Sequence, residues 1–226
     1  MKLMKKYAII VAGGTGKRMG DNLPKQFLKL GGTPILIHTL QAFYTADPEI
    51  ELIVTLPQEE IQFWDELNIW HQNYIEHKVV AGGETRFHSV KNALEHLKEG
   101  ALVAVHDGVR PFVSANIINQ SFEQARNEKA VVTAVLMKDS VRQVDENGKS
   151  KNLDRSSLRM IQTPQTFDVD LLKSAYNTPF NPFFTDDASV VEAYGHSITL
   201  LDGEYQNIKI TTPDDLIIAE ALLKAK

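Results

Sequence analysis

Cysteine is absent from the 226 residues. That excludes disulfides, thiolate zinc sites and a cysteine nucleophile. No apolar run approaches the length of a membrane span. The basic first residues precede a short apolar run that ends in glycines, unlike a signal peptide. The expected setting is the cytoplasm, with no membrane partner. Positive charge is not in excess: the formal net charge is −5, which argues against a general nucleic-acid binder. An anionic ligand has to be held by a local cluster of cations against that background. Low-complexity segments and linkers are missing, and no repeat is evident beyond a recurring strand–helix unit. The length is ample for one α/β domain with a proper core.

The most informative stretch is residues 7–26. Tyr7 to Ala12 is an apolar run of the kind that makes a buried strand. It breaks into Gly13, Gly14 and Gly16, followed by Lys17, Arg18 and Lys25. Glycines let a backbone approach a ligand and point bare N–H groups at it, and the cations neutralise a bound anion. The loop is not a P-loop, because Gly16-Lys17 is followed by Arg18. It is not a dinucleotide fingerprint, because Met19 stands where the third glycine belongs. The bland alternative is a glycine turn with solvated basic residues. Arg18 and Pro24-Lys25-Gln26 tip the reading towards a phosphate site.

Along the chain, Pro34 opens a helix with Ile35, Leu36, Leu40 and Phe43 on one face. Ile50 to Leu56 is a second strand, and residues 58–72 are a helix. His71 and His77 have no metal-ligand spacing and are read as surface or structural. Tyr74 to Val80, a third strand, runs into Gly82, Gly83, Glu84 and Arg86, and a helix follows. This second glycine turn also offers a helix N-terminus to an anion. Ala101 to Val105 is apolar on both faces, hence central, and leads to Asp107 and Arg110. An Asp at a strand's carboxyl end beside phosphate loops is a natural metal or substrate ligand; an Asp107–Arg110 salt bridge that merely shapes the turn is the alternative.

Ala130 to Met137 is a fifth strand. Ser140 to Val144 and Lys149 to Leu153 flank Asn147-Gly148, a hairpin signal. The hairpin carries little apolar area, and isolated hairpins are marginal in water. A partner subunit on which it lies is therefore expected. A helix starts near Asp168, and Thr185 to Ser189 opens another, where capping alone would explain the acids. Ser197 to Leu201 is a strand, and Tyr205 to Thr211 is read as one more, carrying Lys209. A lysine inside a strand is either edge-exposed or reaches into a site. Thr212 caps the last helix, with Pro213 at its first position. The whole is one doubly wound, mostly parallel, Rossmann-like α/β domain over residues 1–226, with a β-hairpin arm at 138–160.

Two glycine loops, several cations, one carboxylate at a strand end and no obvious nucleophile or base suit transfer between phosphates. A phosphate monoester is mostly ionised near neutral pH, so it attacks a nucleoside triphosphate without a general base. The enzyme's tasks are to hold two anions together and to stabilise the charge of the transition state. Mg²⁺ on the triphosphate would share that work.

At this point the blocks acquire a family likeness. They are Ala12-Gly13-Gly14-x-Gly16-x-Arg18-Met19, Pro24-Lys25-Gln26, Gly82-Gly83-x-x-Arg86-x-x-Ser89, Val105-His106-Asp107-x-x-Arg110-Pro111, Thr163-Pro164-Gln165, Thr185-Asp186-Asp187-Ala188-Ser189 and Asn207-Ile208-Lys209. In that order, along nearly the whole chain, they resemble the 2-C-methyl-D-erythritol 4-phosphate cytidylyltransferases of the non-mevalonate isoprenoid pathway. The resemblance implies a nucleotidyltransferase fold, CTP and a polyol phosphate as substrates, Mg²⁺ bound mainly through the triphosphate, and a homodimer formed through the arm. It implies catalytic roles for Arg18, Lys25 and Lys209. The CTP site would comprise Ala12, Gly13, Gly14, Gly16, Arg18, Lys25, Gly82, Gly83, Glu84, Arg86, Ser89 and Asp107. The acceptor would meet Asp107, Arg110, Thr185 and Lys209, with Ser140 and Arg155 reaching in from the other subunit. Asp107 would also be the metal contact. Ser140 stands where the family usually has threonine, and the hydroxyl survives. Gly108-Val109 replaces a commoner pair of alanines. Ribitol-5-phosphate cytidylyltransferase is the nearest alternative; a non-catalytic nucleotide-binding module and an NAD(P) oxidoreductase are more distant ones.

Overall fold

Six residues, Lys6–Val11, form strand β1, and its inner positions are buried on both faces. That is why the strand reads as continuous rather than alternating hydrophobicity. The computed structural model describes residues 4–14 and 23–225. After β1 come the two-residue strands β2 (Lys29–Leu30) and β3 (Thr33–Pro34), then helix α1 (Ile35–Ala46), β4 (Glu51–Leu56), α2 (Ile61–Trp70), β5 (His77–Ala81) and α3 (Arg86–Leu94). The second half runs β6 (Leu102–Asp107), α4 (Ala115–Glu128), β7 (Ala130–Leu136), β8 (Val141–Val144), β9 (Ser150–Leu153), β10 (Arg159–Asp168), α5 (Val169–Tyr176), α6 (Asp187–Ala193), β11 (Thr199–Asp202) and α7 (Pro213–Lys224).

Seven strands make the main sheet in the order β11-β7-β10-β6-β1-β4-β5. All neighbours are parallel except β10, which is antiparallel to both β6 and β7. Buried residues of α1, α2 and α4 share one core with Ala8 and Ile10. Those of α3, α5 and α6 share the other with Tyr7 and Ile9. The sheet is therefore covered on both faces, as a mostly parallel sheet requires. From β1 the chain builds outward through β4 and β5, then returns to place β6 on the other side of β1. The carboxyl ends of β1 and β6 flank this switch point, where open α/β sheets bind ligands. Among the described residues, no helix is long and apolar enough to cross a membrane.

The structure differs from the sequence reading at several places. Residues 155–167 were not expected to form a strand, yet β10 lies between β6 and β7. Pro164 disguises it, because proline breaks a ladder; it sits where the register with β7 shifts, between Ile161 and Gln165. Tyr205 to Thr211 is not a strand. The segment makes no ladder with the described strands and is held instead by Ile210 N–H donating to Val109 O at 2.9 Å, by Arg110 Nη1 donating to Asn207 O at 2.8 Å and by Asn207 Nδ2 donating to Thr163 O at 2.8 Å. Pro34 precedes α1 rather than opening it. In the hairpin only Gly148 is left-handed (φ +76°). The connection is thus not the two-residue turn in which both residues need positive φ. Asp145 Oδ1 accepts from the N–H groups of Asn147 and Lys149, both at 2.9 Å, and closes the loop.

Candidate active site

The first glycine loop leaves β1 at the switch point. Ala12 N–H still donates to Thr55 O at 3.0 Å, so the chain runs straight out of the sheet into Gly13 and Gly14. Among the described residues, a Cβ on Gly13 would meet nothing closer than Ser89 Oγ, 3.8 Å away. Packing against the described residues does not demand glycine there, and a bare backbone at this point permits close approach of a ligand. Lys25 opens a 3-10 turn and lies over Gly14, whose Cβ would stand 3.1 Å from Lys25 Cε. Gln26 is fully buried in the same wall; its Nε2 donates to Glu60 at 2.7 Å. Gly16 and Arg18 lie outside the described residues.

The second loop faces the first. Gly13, Gly14, Lys25, Gly83, Glu84, Arg86, Ser89, Asp107 and Lys209 line one cavity, together with Val11, Ala12, Gln26, Thr85 and Val109. Thr85 pairs its hydroxyl with His88 Nδ1 at 2.9 Å and does not cap α3. The positive end of that helix is thus open towards an anion. Ser89 braces the loop: Oγ accepts from Gly83 N–H at 3.1 Å and donates to Thr85 O at 3.0 Å. Gly83 is glycine for the chain's own sake, since a Cβ there would stand 2.4 Å from His88 Cβ. A larger residue at 83 therefore moves the loop before it touches any ligand, and cannot serve as a clean probe of base recognition.

Asp107 ends β6 and is the electrostatic centre. Its Oδ2 accepts from Arg110 Nε at 3.0 Å and pairs with Lys209 Nζ at 3.1 Å, while Oδ1 stands 4.0 Å from Arg86 Nε. Burial pushes its carboxyl up, but Lys209, Arg86 and Arg110 together hold it well below the usual carboxylate range. The expectation of Asp107 as a metal ligand loses its electrostatic basis, because an incoming divalent cation would meet three positive charges already gathered there. Among the described residues, no cluster of three or more His, Asp or Glu side chains suits a metal ion. Of the two readings of Lys209, the structure favours the one that reaches into a site.

Arg110, expected to meet substrate, stands behind the wall with its guanidinium committed to Asp107 and Asn207 O. Those two bonds tie the turn after β6 to the segment that carries Asn207. Arg86 lines the cavity, yet both its terminal nitrogens are taken by Asp187, at 2.8 and 2.6 Å. Burial opposes its charge, and Asp187, with Asp107 and Tyr176, more than offsets that. Ser140, Arg155 and Thr185 are exposed and do not line the cavity of the single chain. The Arg155 side chain donates to Lys138 O, at the base of its own arm.

Sequence reasoning quoted Gln26 in a motif without giving it a role, and it missed Asp187 by reading the acids near residue 186 as caps. One signal was available: two adjacent acids at one helix start, of which only one is needed as the cap.

Comparison with known proteins agrees with this geometry. Residues 6–225 match the family model for 2-C-methyl-D-erythritol 4-phosphate cytidylyltransferase, IspD. The enzyme of that name from Bacteroides thetaiotaomicron is 51% identical over 220 residues, covering 97% of this chain and 100% of the relative. The Porphyromonas gingivalis enzyme of the same name is 47% identical over 221 residues, with 97% and 98% covered. Among solved structures, the 4-diphosphocytidyl-2C-methyl-D-erythritol synthase of Anaerococcus prevotii superposes with a TM-score of 0.83 at 32% identity, covering 98% of this chain and 96% of that one. The cytidylyltransferase of Thermus thermophilus gives 0.79 at 32% identity, with 98% and 100% covered.

Proposed function

The chain belongs to the family of 2-C-methyl-D-erythritol 4-phosphate cytidylyltransferases, and from that premise we propose how its own residues carry the reaction. The enzyme transfers CMP from CTP to 2-C-methyl-D-erythritol 4-phosphate, giving 4-diphosphocytidyl-2-C-methyl-D-erythritol and pyrophosphate for isoprenoid precursor synthesis. A phosphate oxygen of the acceptor attacks the α-phosphorus of CTP. A new P–O bond forms, the bond from the α-phosphorus to the α,β-bridging oxygen breaks, and pyrophosphate leaves with that electron pair. The attacking oxygen is already ionised, so no side chain has to remove a proton. The protein's part is to align two anions and to neutralise charge at the reacting phosphorus and on the leaving group.

The observation that carries this assignment is the meeting of Lys25 and Lys209 with the Gly13-Gly14 backbone and the open N-terminus of α3 in one cavity. Lys25 and Lys209 take the charge of the triphosphate and of the transition state, with Arg18 expected beside them. Ala12 to Gly14 and Gly82 to Glu84 hold the nucleotide with backbone groups. Asp107 keeps Lys209 in place and offers Oδ1 to the acceptor hydroxyls. The donor set fits a metal held by the nucleotide rather than by the protein, so Mg²⁺ would be bound mainly through the triphosphate. When bound, it lowers the triphosphate's charge and so the repulsion between the two substrates.

One domain with an inserted dimerisation arm at residues 138–160 is part of the proposal, as is a cytoplasmic setting with CTP at hand. Ser140 and Arg155 on the arm are exposed and outside the cavity of their own chain, which supports their completing a partner's acceptor site. The test is pyrophosphate release by purified protein with CTP and Mg²⁺, offered methylerythritol phosphate or ribitol phosphate. Turnover with the first is expected; preference for ribitol phosphate would overturn the acceptor.

A further inference from the structure

Of the two acids at the start of α6, only Asp186 caps it, accepting Ser189 N–H at 2.9 Å. Asp187 is fully buried and turns away from the helix end. Its oxygens take both terminal nitrogens of Arg86, and Oδ1 also accepts the Tyr176 hydroxyl at 2.6 Å. Gln165 of β10 pins this corner, donating to Asp186 Oδ2 and accepting from Ala188 N–H, both at 2.9 Å. A continuous chain of polar contacts thus runs Tyr176–Asp187–Arg86–Asp107–Lys209 and ends at the cavity; its longest link is the 4.0 Å from Arg86 to Asp107.

We propose that Asp187 and Tyr176 are positioning residues for cytidylyl transfer: they lock Arg86 behind Asp107, and Asp107 then sets where the Lys209 ammonium stands. A guanidinium gripped by two parallel hydrogen bonds has a fixed plane and a fixed position. An unclamped Arg86 on the cavity wall would turn to the incoming triphosphate and leave Asp107. With Asp187 in place the charge of Arg86 is already matched, so it stays where it is. Asp107 keeps its flanking cations, and Lys209 stands 3.1 Å from a carboxylate that does not move. This inference rests on the cavity being the CTP site and on Lys209 meeting the charge that develops there.

The experiment is a double-mutant cycle on turnover. Asp187→Asn, Tyr176→Phe and Lys209→Ala are made singly, and each of the first two is combined with the third. Asp187→Asn is expected to lower kcat about tenfold or more and Tyr176→Phe severalfold, with KM for CTP within about threefold of wild type. In the Lys209→Ala background neither change lowers kcat further, because the residue they act through is gone. A purely structural role would instead multiply the effects. Melting temperatures identify any variant that has lost its fold; should Asp187→Asn do so, the Tyr176→Phe cycle decides alone. Wild-type kcat in the folded variants, or multiplying effects, overturns the proposal. Wild-type turnover by Lys209→Ala itself would overturn the placement of the site along with it.

Discussion

Protonation of His106 is a perturbation whose size the structure sets. The imidazole is fully buried, next in the chain to the Asp107 carboxylate. Its Nε2 lies 3.1 Å from Arg110 O and its Nδ1 lies 3.1 Å from Thr163 Oγ1. A carbonyl oxygen only accepts, so Nε2 carries the proton and Nδ1 accepts from the threonine. Thr163 Oγ1 in turn accepts Asp107 N–H at 3.0 Å. The neutral ring therefore closes a circuit that holds the end of β6, and a second ring proton would displace the hydrogen bond that the threonine hydroxyl donates. Burial, aided by the charges of Arg110 and Lys209, pulls His106 down to about 4 from 6.5. A group whose folded value lies below its unfolded value binds fewer protons in the folded state. Stability thus rises with pH across that window; it is fully present above about 6.5 and lost as pH falls towards 4. From 6.5 to about 4, at about 1.4 kcal/mol per pH unit, the loss comes to roughly 3 kcal/mol. The assay is urea unfolding of wild type and His106→Gln at a series of pH values between about 7.5 and about 4. Glutamine does not titrate, and the remaining groups are common to both proteins. The wild type should therefore lose about 3 kcal/mol more than the variant across the series. Parallel curves would refute the reasoning, since His106 would then titrate alike in both states.

Three further outcomes are expected. Lys25→Ala should lower kcat by about 10²-fold or more, with a far smaller change in KM for CTP, as for loss of a group that acts on developing charge; steady-state kinetics near wild type would make it a mere surface charge. Gly13→Ala adds a methyl group whose nearest neighbour among the described residues is Ser89 Oγ at 3.8 Å. It should leave the melting temperature unchanged and weaken CTP binding about tenfold by calorimetry; unaltered affinity would move the nucleotide away from the first loop. Arg155→Ala should raise KM for the polyol phosphate and spare CTP, because a guanidinium grips a phosphate by two hydrogen bonds. Co-expressed with Lys25→Ala, which spoils a protomer's own core, it should regain about a quarter of wild-type activity in randomly mixed dimers; heterodimers without activity would rule out an arm acting in trans.

The strands β1, β4, β5 and β6, the helices between them and the hairpin were legible because their signals are local. Apolar runs marked buried strands, glycine turns followed them, and Asn147-Gly148 marked the reversal. Capping was equally local: Thr212 does accept Asp215 N–H, at 3.3 Å. The family likeness was legible for a related reason, since the loops that line the cavity are short, and each keeps its residues together in sequence. Strand β10 was illegible because Pro164 argues against a strand, and only the register shift opposite β7 accommodates it. The segment from Tyr205 to Thr211 misled in the opposite sense. It read as a strand, and its bonds go to Val109, Arg110 and Thr163 instead of to a ladder.

By itself, the sequence determined the chemistry available: two glycine loops and a set of cations, with no cysteine nucleophile, which suffices to name phosphate transfer and a family. The tertiary structure decided what each charge is for. Arg86 and Asp187 are 101 positions apart, and Lys209 is farther still from Lys25 along the chain. No local pattern reveals that one arginine is clamped, another is built into a turn and a lysine faces the cavity. Those roles follow from Coulomb interactions over a few ångströms, and such distances exist only once β6, α3, α6 and the 203–212 segment have packed around the switch point.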